Sequence, residues 1–424
     1  MKIPDNWKYD KIANFGICIR GVSYKPNNLK SEYNKDSIIL LRANNIVESK
    51  INFEQVYYVD KSIVNKEKIL KKYDVAICMS SGSKDLVGKA GKFEVSDDKL
   101  YCMGAFCSIF RPISEVNKEF IFQLFNSIRY KKQIDTITCG SNINNLNKSN
   151  IENLTFLFPP IEEQQKIANI LLKVDENIEI TKNIINKTIE LKKGLMQTLL
   201  TSGINHDTYK TRKIGLKEYK LSDKWDIKSL EETSFLKGRI GWQGLTTQEY
   251  LSKGEYILVT GTDFRDGSIN WNTCVYVEED RYNMDENIKL KNEDILVTKD
   301  GTIGKIAYVH SMPKPTTLNS GIFVLRPLNR EYYPKFLYYI LNSFYFDYFM
   351  NILKAGSTIS HLYQRDFVKF KFPVPPLDEQ KQIASILSKV DEQIQDNKKE
   401  LNHLHELKKG LMQDLLTGKV RVSV

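Results

Sequence analysis

The sequence predicts a mixed α/β (α+β) protein: two globular domains related by a pseudo-two-fold repeat, separated by two long antiparallel coiled-coil helices. Three observations predict this. First, Pro159-Pro160-Ile161-Glu162-Glu163-Gln164 and Pro375-Pro376-Leu377-Asp378-Glu379-Gln380 open two segments with matching ends, Leu191-Lys192-Lys193-Gly194-Leu195-Met196-Gln197 and Leu407-Lys408-Lys409-Gly410-Leu411-Met412-Gln413. About 26 of 43 aligned positions are identical, which marks an internal duplication. Second, the pairing continues faintly outside these segments: Asp5-Asn6-Trp7 matches Asp223-Lys224-Trp225, and Asp74-Val75-Ala76-Ile77 matches Asp294-Ile295-Leu296-Val297. Third, the near-identical segments have helical periodicity, whereas the divergent parts read as short strands with a few helices.

The expected boundaries are 1–158 for the first domain, 159–201 for the first long helix and 202–218 for a linker. The second domain follows at 219–374 and the second long helix at 375–418. Apolar residues recur at Ile167, Leu171, Val174, Ile178, Ile185 and Ile189, and at Ile383, Leu387, Val390, Ile394, Leu401, Leu404, Leu411 and Leu415. Spacings of three, four and seven are those of a coiled-coil stripe. The proline pair suits a first turn, and the acidic residues after it suit the positive end of the helix dipole. Lys192-Lys193 before Gly203, and Lys408-Lys409 before Gly418, supply basic last turns and glycine stops. A stripe on a 40-residue helix needs a partner, so the two helices are expected to pack antiparallel. Ile167, Leu171, Val174, Ile178, Leu195, Ile383, Leu387, Val390, Ile394 and Leu411 are the residues expected to pair the helices or dock a partner.

Within the domains, strands are expected at 37–41, 75–78, 256–260, 294–298, 305–309 and 321–325, and helices at 118–129 and 333–349. Residues 202–218 are polar and aperiodic and read as a surface linker.

The 424 residues carry a net charge of +10, which suits a polyanion and argues against an acidic DNA mimic. No apolar run approaches the ~20 residues of a membrane span, and no signal-peptide pattern opens the chain. The six cysteines form no C-x-x-C pair and read as reduced core residues. The expectation is a cytoplasmic, metal-free protein. A catalytic site is not expected: the five histidines form no ligand-spaced cluster, and neither a G-x-S-x-G elbow nor an Asp/Asn-Pro-Pro-aromatic motif occurs. A protein with two related halves suits a target with two half-sites, and duplex DNA is such a target.

The candidate contacts follow from that. Ser80-Ser81-Gly82-Ser83-Lys84 with Gly88-Lys89, and Lys299-Asp300-Gly301-Thr302 with Gly304-Lys305, follow matching strands. Glycine lets a backbone approach, hydroxyls donate and lysine supplies charge, a combination suited to phosphate or base edges. Neither loop is a P-loop, because the spacing and the final hydroxyl are wrong. Ser81, Ser83, Lys84, Lys89, Lys299, Thr302 and Lys305 are the loop candidates. Arg42, Asn44 and Asn45 in the first domain, and Arg239, Trp242, Gln243, Thr260 and Thr262 in the second, join them because such side chains suit base edges or phosphates.

The helix motifs Pro-Pro-x-x-Glu-Gln-x-x-Ile-Ala-x-Ile-Leu and Leu-Lys-Lys-Gly-Leu-Met-Gln-x-Leu-Leu-Thr, set after two divergent domains, resemble the specificity subunit of type I restriction–modification enzymes over nearly the whole chain. Residues Gly238-Arg239-Ile240-Gly241-Trp242-Gln243-Gly244-Leu245 and Thr298-Lys299-Asp300-Gly301-Thr302-Ile303-Gly304 resemble a subtype of that family. The resemblance implies a non-catalytic subunit with two target-recognition domains, each reading half of a split double-stranded DNA sequence. It implies helices that set the gap and dock two methyltransferase subunits, which bind S-adenosylmethionine and methylate adenine. Restriction (nuclease and translocase) subunits would join them. No cofactor is implied in this chain, and no membrane. The alternative is a stand-alone bidentate DNA-binding regulator or an orphan subunit.

Overall fold

The computed structural model describes residues 4–139, 145–239, 244–355 and 361–423. The chain forms two compact units, residues 1–183 with 399–424 and residues 184–398. The long helices span Ile161–Leu199 and Leu377–Leu415, each starting directly after its proline pair. Each unit takes the first part of the helix that follows its own domain and the last part of the other.

Burial explains the helix pattern. Leu171, Val174, Ile178, Thr181, Ile185 and Thr188 are buried at alternating spacings of three and four, the signature of a coiled-coil seam. In the first unit Val174 and Ile178 cluster with Leu404 and Leu401, while Ile167, Ala168 and Leu171 share a core with Met412 and Leu415. Ascending one helix means descending the other, so these parts run antiparallel. In the second unit Ile383, Ala384 and Leu387 share a core with Met196 and Leu199, in the same sense. Leu195 and Leu411 sit partly buried at these cores, Ile394 is buried and Val390 is half-buried.

The family-like helix motifs are largely anchors. Trp7 Nε1 donates to Glu163 Oε2 at 2.9 Å, and Trp225 Nε1 donates to Glu379 Oε2 at 3.0 Å. Gln164 Nε2 donates to Pro159 O at 2.9 Å while its Oε1 accepts from Asn117 N at 3.1 Å. Gln380 repeats this with Pro375 O at 2.8 Å and Tyr333 N at 2.8 Å. Lys408 pairs with Asp175 at 2.6 Å in the first unit, and Lys192 pairs with Asp391 at 2.5 Å in the second. The Lys-Lys-Gly end of each copy thus meets the Val-Asp of the other. Gly418 (φ +70°) closes its helix where a Cβ would lie 2.5 Å from Pro4, so only glycine suits both the turn and the space.

In the first unit a four-stranded sheet runs Tyr101–Met103, Ser37–Leu41, Tyr57–Asp60, Leu29–Lys30, and a six-stranded sheet centres on Cys107–Pro112 beside Val75–Cys78. The second unit repeats the plan. Tyr256–Val259 lies parallel to Thr316–Leu318, as Ser37–Leu41 does to Tyr101–Met103. Ile322–Pro327 lies beside Ile295–Thr298, as Cys107–Pro112 does beside Val75–Cys78. In each unit an arginine fork locks this pair. Arg111 binds Asp74 through Nε at 2.9 Å and Nη2 at 2.6 Å, and Arg326 binds Asp294 at 2.7 Å through each. Both arginines also donate to two backbone carbonyls, which satisfies the fork.

Two expectations change. Residues 202–218 are not a bare linker: Tyr209–Ile214 pairs with Lys217–Ser222 in a six-pair hairpin. Its buried Ile214, Tyr219 and Leu221 join the second unit's core, and Gly215 turns it at φ +63°. The alternation was hidden because most of its outward residues are lysine or arginine. The two expected domain helices each divide. Lys118–Leu124 is followed by Ile128–Cys139, and Pro334–Leu341 by Phe344–Ala355. At each break a serine hydroxyl, Ser127 or Ser343, donates to the carbonyl three residues back at 2.7 Å.

Candidate nucleic-acid interface

Each unit brings three segments to one corner. In the second unit the strand Tyr256–Val259 ends at Thr260, and Val259 O accepts from Asn319 N at 2.9 Å. The strand Ile295–Thr298 leads into the glycine loop, where Lys299 N donates to Gly321 O at 2.8 Å. In the first unit Leu41 O accepts from Gly104 N at 2.8 Å, and Met79 N donates to Phe106 O at 2.8 Å. The corners therefore correspond: Arg42 with Thr260, Met79 with Lys299, and Phe106 with Gly321.

The loops share an exit. Gly88 and Gly304 both sit at φ +82°, and each amide returns to the strand, to Cys78 O at 2.8 Å and Thr298 O at 2.9 Å. Positive φ there is why glycine precedes Lys89 and Lys305. Between these fixed points the first loop is four residues longer and holds a short 3₁₀ turn, Lys84–Leu86. The second is held by the Thr298 hydroxyl, which donates to Thr302 O at 2.6 Å and accepts from Lys305 N at 2.9 Å.

Ser83, Lys84, Thr302 and Lys305 are exposed, and Ser81 and Lys89 are half-buried. Ser81 Oγ accepts from Ser83 N at 3.2 Å, and Lys84 Nζ lies 3.5 Å from Cys139 Sγ. Lys299 is half-buried, with its ammonium 4.9 Å from the centre of the Phe323 ring; burial pushes its pKa below the usual lysine value. The Arg42 guanidinium lies over the Tyr57 ring at 3.9 Å, and Asn44 is exposed beside it. Thr260 Oγ1 donates to Asp263 Oδ2 at 2.9 Å and meets Thr262 Oγ1 at 2.7 Å; Thr262 is exposed.

Two candidates have structural roles instead. Asn45 is 1 % exposed; its oxygen accepts from Arg42 N at 2.8 Å, and its amide donates to Asn52 O at 3.0 Å and Glu54 O at 2.9 Å. Its donors are fully occupied, so it shapes the turn that presents Arg42 and Asn44. Arg239 is also 1 % exposed, donating to Leu318 O at 2.8 Å and Thr317 Oγ1 at 3.1 Å. Burial lowers its pKa. Trp242 and Gln243 lie outside the described residues.

The structure adds residues that spacing did not suggest. His361 pairs with Asp300, and Leu362 N donates to Lys299 O at 2.8 Å, which brings exposed Tyr363 and Arg365 to the second corner. Arg365 lies 5.0 Å from the Tyr363 ring centre. Nothing in the sequence joins residue 300 to 361; their backbones meet in an antiparallel bridge. Phe106, exposed in the first corner, was missed because a lone aromatic in a strand-rich stretch reads as core. Among the described residues no group of three or more His, Cys, Asp or Glu is placed to hold a metal, and no helix is long and apolar enough to cross a membrane.

The profile of the type I restriction modification DNA specificity domain matches the chain twice, over residues 4–191 and 224–406. Across 99 % of its length the chain is 27 % identical to a putative type I restriction enzyme specificity subunit (MjaX) of Methanocaldococcus jannaschii, covering 95 % of that protein. It is 23 % identical to the EcoKI specificity subunit of Escherichia coli, with 99 % of this chain and 89 % of that one aligned. Among solved structures, the type I restriction–modification S subunit from M. genitalium aligns with a TM-score of 0.59 at 18 % identity, covering 98 % of both chains. A chain from a study of complex assembly and conformational transition in a type I system aligns at 0.56 and 16 % identity, covering 99 % of this chain and 100 % of that one.

Proposed function

The chain belongs to the type I restriction–modification DNA specificity family, and on that premise we propose that it reads a split DNA target for partner subunits that do the chemistry. The first unit would read one half-sequence and the second the other. The observation that carries this is the comparison between the two units: the strand ends, arginine forks and exit glycines agree, while the side chains at the corners differ. Two readers built alike but faced differently suit two unlike half-sequences.

Two adenine methyltransferase subunits would dock on the repeated helices and bind S-adenosylmethionine themselves, and restriction subunits would add cleavage. Repeated exposed apolar residues support docking in duplicate. Ile170 and Leu407 are exposed in the first unit, and their repeat mates Ile386 and Leu191 in the second. Each unit thus offers one isoleucine and one leucine from the same two motif positions. An exposed matched pair in each unit suits two identical partners.

The test is methylome sequencing of a methylation-free host expressing this chain with its methyltransferase subunit, against the methyltransferase alone. The expected result is a new split motif methylated on adenine only when this chain is present. A soluble complex that adds no methylation would reject the proposal in favour of a DNA-binding regulator.

A further inference from the structure

Phe106 is 71 % exposed, more than any other aromatic ring among the described residues with large exposed side chains. Its backbone is nevertheless held firmly. It lies in the turn where Cys107 N donates to Gly104 O at 2.8 Å, and its carbonyl accepts from Met79 N at 2.8 Å and from Ser80 N at 3.2 Å. A ring left in water on a pinned backbone forgoes the stabilisation that burial provides. Nothing about the fold requires it, since Gly321 fills the same place in the second unit.

The surroundings indicate the ligand. Ser80 leads directly into Ser81, Gly82, Ser83 and Lys84. On the other side Gly21 N donates to Cys107 O at 2.9 Å, next to exposed Arg20, and Lys68 Nζ donates to Gly21 O at 3.3 Å. A fixed aromatic face flanked by hydroxyls and cations suits an unstacked base held by its phosphates.

We infer that Phe106 is a wedge that stacks on a base at one step of the half-sequence read by the first unit. That half-sequence is then read partly by how readily the step opens, which favours pyrimidine–purine steps. The second half-sequence is read without a wedge. This inference rests on the DNA-reading function proposed above.

The test uses the complex with its methyltransferase subunits and duplexes carrying the methylated motif. 2-Aminopurine, which brightens when unstacked, replaces single bases outside the adenines that are methylated. The expected result is brightening at one step in one half-sequence and none in the other. Phe106→Ala should abolish that signal and weaken binding about 10- to 100-fold, with partner assembly and binding to scrambled duplex unchanged. Phe106→Trp should retain tight binding. Binding by Phe106→Ala within about twofold of the parent, or loss of methyltransferase from the complex, would overturn the wedge. Should the parent complex fail to prefer the motif over a scrambled duplex, the DNA-reading premise itself falls, and the wedge with it.

Discussion

The corresponding corners of the two units share a frame and differ in the side chains set on it. Met79 and Phe106 occupy in the first the places of Lys299 and Gly321 in the second, with matching backbone hydrogen bonds. One corner offers an aromatic face and a four-residue-longer hydroxyl loop; the other offers a half-buried ammonium and the Asp300–His361 pair. The difference teaches that the duplication kept the arginine forks and the exit glycines that fix the strand ends, while side chains set on that frame diverged.

The strongest way to break this comparison is to attack the shared frame. Arg326→Ala leaves the buried Asp294 carboxylate without its counter-charge and with a backbone N–H donor from Lys291, and Arg111→Ala does the same to Asp74, which keeps Lys71 N. Each should destabilise its own unit by ~3–5 kcal/mol, read as a lowered transition in thermal or denaturant unfolding. A cost in only one unit would show that the frames are not equivalent.

The helix anchors should respond next. Glu163 is buried, which alone would raise its pKa, but hydrogen bonds from Arg421 and Trp7 outweigh this and lower it. A folded pKa below the unfolded value contributes stability that is present above the unfolded value and lost as pH falls through the folded one. Glu163→Gln should cost ~1–3 kcal/mol at neutral pH and flatten the acid side of the stability profile. The matching Glu379 answers to His206 and Ile204 N in place of an arginine.

The smallest effect is the most specific to the second corner. Burial lowers the Lys299 pKa. Holding its charge therefore costs stability below that pKa, and the cost is relieved as pH rises through it. DNA affinity owed to the charge runs the opposite way and should fall on alkaline titration earlier than for an ordinary lysine. Lys299→Arg should remove that early fall, and Lys299→Ala should reduce the slope of log affinity against log salt by about one. Equal slopes for Lys299→Ala and the parent would take this lysine out of the interface.

Much of this was legible in the residues. The helices were, because repeated motifs and a three-four seam leave few alternatives; the bounds found, Ile161–Leu199 and Leu377–Leu415, lie within a few residues of those expected. The strands at 37–41 and 75–78 were, because short apolar runs between turn residues suit buried strands. The candidate site was legible only as loops. Asn45 and Arg239 look like base readers by residue type, yet both are buried and hydrogen-bond backbone carbonyls. Asn44, next to Asn45, is exposed, and only the turn decides which of the two faces solvent.

The sequence by itself determined the duplication, the helix pair and the family, because these rest on local periodicity and on motifs contiguous in the chain. Tertiary structure alone decided which side chains meet. The Asp300–His361 pair, the Arg326–Asp294 fork and the place of Phe106 beside Ser80 each join residues 26 to 61 positions apart. Such meetings depend on strand order and loop closure, which no spacing in the chain records, because contact follows from how the sheets pack rather than from where residues stand in line.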